Sequence, residues 1–177
     1  MVDLQDQMRT SDADITMATG RLIKAFIIES QPLVADALTA LLSQQADMIV
    51  LGSAGWATDS AAQVAELKPD VVIIDIRSNT DEAIDAADAI GRTGCQARLI
   101  VFARDASDVV VLTAIELGAS AVVYESRDAA EMIRVVREVA GGANVIAPKT
   151  VATILKKRQA RHDLNGRLTN PMTLLAH

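Results

Sequence analysis

Aromatic residues are almost absent: the 177-residue chain has two phenylalanines, one tryptophan and one tyrosine. Base-stacking platforms need several exposed aromatic rings, so the sequence disfavours binding of single-stranded nucleic acid. The one cysteine, Cys95, excludes an internal disulfide and a cysteine-rich metal site, which favours a reducing compartment. Aliphatic side chains must therefore fill the core, and a hydrophobic content of 50% excludes wholesale disorder.

Positive charge is also scarce, because 17 Lys and Arg residues are outnumbered by 23 Asp and Glu residues, giving a net charge of −6. A globally basic nucleic-acid-binding surface is therefore excluded, although the basic stretch 156–161 leaves a local patch open. No apolar run is long enough to cross a bilayer, and residues 1–20 lack the apolar core of a signal peptide. We expect a cytoplasmic protein with no membrane partner.

Five short apolar runs alternate with stretches of helical period along the chain. Runs that are continuously apolar are typical of strands covered by helices on both faces, as in a parallel sheet. Five βα units are too few for an eight-unit barrel, so a doubly wound α/β fold, (βα)5, is predicted. The predicted strands are Ala25-Phe26-Ile27-Ile28, Met48-Ile49-Val50-Leu51, Val71-Val72-Ile73-Ile74, Leu99-Ile100-Val101-Phe102 and Ala121-Val122-Val123-Tyr124.

Changes in composition and apolar spacing along the chain predict three segments. Residues 1–20 are polar and without apolar period, so we expect a flexible arm. Residues 21–147 form the α/β domain, and residues 148–177 add one further helix and an irregular tail. Within the domain, the spacing of Val109, Leu112 and Ile115 predicts the buried face of the helix that follows the fourth strand.

Ligand and catalytic sites of open α/β sheets lie beyond the carboxyl ends of the strands. Asp75 directly follows a Val-Val-Ile-Ile run, where a carboxylate is costly to desolvate unless it is paired, hydrated or used. A cap on a nearby loop is the structural alternative. The other strand-end candidates are Glu29 and Ser30 after the first run, Arg77 after the third, Ala103 and Arg104 after the fourth, and Glu125 after the fifth.

Four segments carry a family resemblance: Ile27-Ile28-Glu29-Ser30-Gln31-Pro32-Leu33-Val34, Lys68-Pro69-Asp70-Val71-Val72-Ile73-Ile74-Asp75-Ile76-Arg77, Leu117-Gly118-Ala119-Ser120-Ala121 and Val139-Ala140-Gly141-Gly142. In order and spacing they resemble the receiver domain of two-component response regulators, and within it the LuxR-type transcriptional subfamily. The resemblance covers about residues 22–147 and implies a flavodoxin-like strand order 2-1-3-4-5. It also implies phosphoryl transfer from a histidine kinase to an aspartate, assisted by Mg²⁺.

The resemblance puts the phospho-acceptor at Asp75 and the metal-holding acids at Glu29-Ser30. One acid of that pair is therefore a hydroxyl residue. Mg²⁺ demands near-ideal octahedral geometry, so a site left with Glu29 and Asp75 is expected to bind it weakly, and no other cofactor is expected.

Three further family positions are altered. The hydroxyl residue that bonds the phosphoryl group is Ala103, the aromatic switch position is Val122, and the lysine that pairs with the phosphoryl group is Glu125. Replacing that lysine by a glutamate turns an attraction into a repulsion of several kcal/mol in a partly buried site. The sequence therefore predicts an atypical receiver with a degenerate phosphorylation site.

The acids Glu29, Asp75 and Glu125 are expected to converge, with three outcomes open. Arg77 or Arg104 folds in and neutralises them, water solvates them, or a divalent cation binds between them. An enzyme is disfavoured: an Asp-x-Asp phosphatase needs a second acid where Arg77 stands, and no glycine-rich phosphate loop is present.

We expect a signalling module that acts through protein contacts as a homodimer, with a histidine kinase or another signalling protein as a further partner. The alternative is a conventional receiver that accepts a phosphoryl group on Asp75 with Mg²⁺. Leu168-Thr169-Asn170-Pro171 resembles the opening of the family's helix-turn-helix domain, but no recognition helix follows. DNA contact would then need an absent or separate domain, and two interpretations stay open: the regulatory half of a DNA-binding protein, or a receiver that acts alone.

Overall fold

The computed structural model describes residues 21–56, 59–77 and 80–146, together with residues 152 and 156. The predicted arm 1–20 lies outside the described residues, and so does nearly all of the predicted tail 148–177. Residues 152 and 156 of that tail are helical. None of the helices that the structure describes is both long enough and apolar enough to span a membrane.

The described residues form an alternating series of strands and helices. The strands are β1 (Ile23–Ile28), β2 (Met48–Ala54), β3 (Val71–Asp75), β4 (Arg98–Ala103) and β5 (Ala121–Tyr124). The helices are α1 (Pro32–Ser43), α2 (Asp59–Leu67), α3 (Thr80–Arg92), α4 (Asp108–Glu116) and α5 (Ala129–Ala140). All strand pairs are parallel and the order is β2-β1-β3-β4-β5, which confirms the predicted doubly wound, flavodoxin-like fold.

The sheet has a separate apolar layer on each face. On one face, α1 and α5 bury Leu38, Leu42, Val135 and Val139 against the strands. On the other face, α2, α3 and α4 cover residues that include Phe26, Ile28, Val72, Ile74 and Val101. The central strand β3 is buried at every residue, as a parallel strand between two helical layers must be.

Helix ends follow from local chemistry. The Asp128 carboxylate caps α5 by accepting a hydrogen bond of 2.8 Å from the Glu131 backbone N–H. The helix ends at Gly141, and Gly142 adopts a φ of 100°, a conformation that glycine takes without a Cβ penalty. The two glycines therefore end α5 directly after Ala140.

The predicted buried face of α4 is wrong. Val109 is 71% exposed and Leu112 and Ile115 are half-buried, whereas Val111 and Ala114 pack into the core. The segment Asp108–Glu116 is apolar at most positions, so its hydrophobic period does not single out one face. The contact of α4 with the sheet selects the face instead.

Candidate functional site

One arginine joins three acids at the carboxyl edge of the sheet. Glu29 follows β1, Asp75 ends β3 and Glu125 follows β5. The Arg77 guanidinium donates hydrogen bonds to all three, at 2.8 Å to Asp75, 3.2 Å to Glu29 and 3.1 Å to Glu125. We call these four side chains the arginine clasp.

Asp75 has both carboxylate oxygens occupied by Arg77. The Oδ1 atom accepts from the Arg77 backbone N–H and from Nε, each at 2.8 Å, and Oδ2 accepts from Nη2 at 3.1 Å. An aspartate side chain that bonds the backbone two residues later forms a local turn, which brings the arginine back over the carboxylate. The Asp75 residue is 1% exposed, so this pairing supplies its counter-charge away from water.

Glu29 lies beside Asp75 and is 4% exposed. Its Oε1 accepts from the Gln31 backbone N–H at 2.7 Å and its Oε2 from Arg77 Nη2 at 3.2 Å. Burial raises the pKa of Glu29, and so does a hydrogen bond with the Asp75 side chain, while Gln31 and Arg77 lower it. The net direction is upward, because burial disfavours the ionised form of Glu29 and the neighbouring Asp75 adds to this effect.

Glu125 is the exposed member of the clasp. Its side chain is 52% exposed, so water screens its 3.1 Å bond to Arg77 Nη1 more than the other contacts. For Arg77, burial lowers the pKa, but the hydrogen bond with Asp75 and the charges of the three acids outweigh burial and raise it. Arg77 therefore stays positively charged at any pH at which the protein is folded.

Two aromatic residues contact members of the arginine clasp. The Phe102 ring lies under the guanidinium, with Arg77 Cζ 4.5 Å from the ring centroid, in a cation–π arrangement. The half-buried Trp56 donates from its indole N–H to the Asp75 backbone carbonyl at 3.2 Å. Sequence reasoning missed the role of Phe102, although its register partner on β3 is Asp75. Trp56 also packs against the apolar layer on its face of the sheet.

The remaining predicted positions do not join this cluster. Ser30 is exposed, and Ala103 is fully buried with no side chain that can donate a hydrogen bond. Val122 is half-buried, and the segment of β5 that carries it pairs with β4. Arg104 is exposed, and none of the ion pairs among the described residues includes it, so Arg77 alone supplies the positive charge of the clasp.

Mg²⁺ does not fit this arrangement of side chains. Within residues 21–56, 59–77 and 80–146, no three His, Cys, Asp or Glu side chains are grouped so that they could hold a metal ion. Of the three outcomes left open for these acids, the described geometry corresponds to the first, because the Arg77 guanidinium lies among their oxygens. A cation would have to displace donors from both oxygens of Asp75.

Comparisons with known proteins point to one family. The family model described as response regulator receiver domain matches residues 25–137. The chain is 25% identical over 158 residues to the DNA-binding transcriptional activator DevR/DosR of Mycobacterium tuberculosis, covering 87% of this chain and 73% of that protein. It is 22% identical over 147 residues to the response regulator protein VraR of Staphylococcus aureus, covering 83% of this chain and 70% of VraR.

Solved structures agree on the fold. A LuxR-family two-component response regulator from Aurantimonas sp. SI85-9A1 superposes with a TM-score of 0.66 at 23% identity, covering 77% of this chain and 98% of that one. The response regulator domain of Thermotoga maritima CheB gives a TM-score of 0.61 at 21% identity, covering 68% of this chain and 98% of that one. At these identities the likeness extends to the fold alone.

Proposed function

The chain belongs to the response regulator receiver domain family. We propose that it is an atypical receiver, in which the ion pair between Arg77 and Asp75 takes the place of phosphorylation of Asp75. Its relatives are response regulators of the LuxR type. The proposed module signals through protein contacts within two-component signalling and catalyses no reaction of its own.

The observation that carries this proposal is the saturation of the Asp75 carboxylate by three donors of Arg77. A carboxylate oxygen must be free and accessible to attack a phosphoryl donor, and Asp75 is 1% exposed. The guanidinium would have to leave the carboxylate before any attack. That step separates a buried ion pair, which costs about 3–5 kcal/mol.

Charge opposes phosphorylation a second time. A phosphoryl group brings about −1.5 to −2 charges at neutral pH, and Glu29 and Glu125 already flank Asp75. At a separation of about 5 Å and an effective dielectric constant of about 20, the buried Glu29 would repel a phosphoryl charge by about 3 kcal/mol, and the half-exposed Glu125 would add at most about 1 kcal/mol. Ala103 offers no hydroxyl to offset this repulsion.

We further propose that the signal is read through self-association and through a separate DNA-binding domain. The name DNA-binding transcriptional activator, printed for one relative, supports transcriptional regulation as the output. A homodimer that forms without a phosphoryl donor would keep such a module active. Sedimentation velocity tests this part: a concentration-dependent dimer without phosphoryl donor is expected, and a monomer at every concentration would contradict it.

Intact-mass spectrometry after incubation with acetyl phosphate and Mg²⁺ tests the central proposal. The unmodified chain is expected to gain no phosphoryl group, while a conventional receiver treated in parallel gains one. An increase in mass that Asp75→Asn abolishes would contradict the proposal. It would establish the second candidate, the conventional phospho-acceptor, which the retention of an aspartate at the carboxyl end of β3 beside Glu29 favours.

A further inference from the structure

A second polar cleft lies at the opposite, amino edge of the sheet. Its volume is about 500 Å³, and it is bounded by Arg21 ahead of β1, the connection from α2 to β3 and the connection from α3 to β4. We propose that this amino-edge cleft binds a phosphate monoester. The residues that define it for this purpose are Arg21, Lys68, Asp70, Cys95 and Arg98.

The cleft concentrates positive charge in an acidic protein. It is lined by three cationic side chains and one acid, Asp70, in a chain with a net charge of −6. Asp70 is engaged, since it pairs with Arg21 and accepts a 2.9 Å bond from the Lys24 backbone N–H. Among the described residues, neither Lys68 nor Arg98 forms an ion pair, so both charges remain for an anion.

The chemistry of these two cations suits a phosphate. Arginine presents a planar fork that bonds two phosphate oxygens at once, and lysine supplies a compact point charge. Arg98 Nη2 lies 3.7 Å from the position that a Cβ on Gly142 would take, so the guanidinium borders the end of α5. One arginine and one lysine are enough to balance a phosphate dianion.

The volume indicates more than a bare ion. Small-molecule sites occupy about 300–1,000 Å³, and the cleft falls within that range. Its remaining walls include the apolar side chains of Ala65, Pro69, Ala97 and Ala140. An organic group of one or two rings, esterified to the phosphate, can lie against these walls while the phosphate contacts the cations. We therefore assign a monoester rather than inorganic phosphate.

The cleft is separate from the arginine clasp. Asp70 and Asp75 bracket β3, and five residues of strand span about 17 Å. Ligand binding here does not depend on whether Asp75 is phosphorylated. Failure of this inference would leave the proposed function untouched, and failure of the proposed function would leave the cleft as it is.

The chain's single cysteine provides a direct test, because Cys95 lines the cleft and is half-buried. Its rate of reaction with dithiodipyridine, a neutral thiol reagent, is measured in the full chain with adenosine monophosphate, adenosine or inorganic phosphate. Protection follows the occupied fraction, so a ligand at about ten times its dissociation constant slows the reaction about tenfold. Adenosine monophosphate is expected to protect, and adenosine is not.

Two variants with the same loss of charge separate the cleft from general electrostatics. The double variant Lys68→Gln/Arg98→Gln is expected to lose protection, whereas Arg104→Gln/Arg127→Gln, which removes two exposed charges at the opposite edge of the sheet, is expected to keep it. Circular dichroism checks that each variant is folded. No protection by millimolar adenosine monophosphate, or equal protection in the double variant, would overturn the proposal. Equal protection by inorganic phosphate would overturn the assignment of an ester.

Discussion

Replacing Arg77 by methionine keeps most of the side-chain bulk and removes the charge on which the site depends. Arg77→Met leaves Asp75 and Glu29, 1% and 4% exposed, without their shared counter-charge. Removing one partner of a buried ion pair costs about 3–5 kcal/mol. The contact with the half-exposed Glu125 adds at most about 1 kcal/mol. We therefore expect a loss of about 3–5 kcal/mol in the free energy of unfolding at neutral pH.

Urea unfolding followed by Trp56 fluorescence measures this loss. The pKa of Glu29 sets the direction in which the free energy of unfolding changes with pH. Burial and Asp75 hold the pKa of Glu29 above its usual value, so the folded state retains a proton that the unfolded state releases. This contribution to stability is present below the ordinary pKa of glutamate and is lost as the pH rises through the folded-state pKa. Without Arg77, which lowers that pKa, the dependence should become steeper, and the variant should approach the wild type in mild acid.

Matched variants make the result specific. Arg104→Met removes an exposed arginine at the same edge of the sheet and is expected to change stability by less than about 0.5 kcal/mol. Adding Asp75→Asn to Arg77→Met removes one of the two buried charges and should recover part of the loss. An Arg77→Met variant within about 1 kcal/mol of the wild type at neutral pH would refute the reasoning, because the two carboxylates would then not need the guanidinium.

Three further substitutions test contacts that stabilise the fold. Asp47→Asn weakens the bidentate pair with Arg137, at 2.7 and 3.0 Å, and should cost about 1–3 kcal/mol by urea unfolding. The Arg137 hydrogen bond lowers the pKa of Asp47, so the wild type should lose this stabilisation as the pH falls below the ordinary aspartate value, and the variant should not. Asp128→Ala removes the α5 cap and should lower stability by about 1 kcal/mol, read from the urea midpoint. Phe102→Leu removes the ring under Arg77 and should cost about 0.5–2 kcal/mol beyond packing, measured by a double-mutant cycle with Arg77→Met.

The strands were predictable because burial on both faces leaves little choice of residue. The Val-Val-Ile-Ile run of β3 is buried throughout, and its continuous apolarity marks it in the sequence. The register of β1 was not predictable, since it shifts between Ala25 and Phe26 where β1 pairs with β2. The buried face of α4 also escaped prediction, because its apolar residues surround the helix and only packing selects among them.

The positions of the acids in the candidate site were predictable from the sequence, but the arginine that pairs with them was not. Strand ends fix where Glu29, Asp75 and Glu125 emerge, so their convergence follows from the topology. Both Arg77 and Arg104 follow strand ends in the sequence, and nothing in residue type separates them. The turn that bonds the Arg77 N–H to Asp75 separates them in space, because it returns that guanidinium over the carboxylate.

The ion pair between Arg77 and Asp75 is tested most directly by heteronuclear NMR of the Arg77 Nε–H group. The spectra are recorded in the presence of Mg²⁺ and the phosphoryl mimic beryllium trifluoride. A group that is hydrogen-bonded to a buried carboxylate exchanges slowly with water and gives an observable resonance. We predict that this resonance keeps its position and its slow exchange at millimolar mimic, and that Arg77→Met identifies it by its loss. A resonance that shifts in a saturable manner, or broadens away as the mimic binds Asp75, would contradict the account.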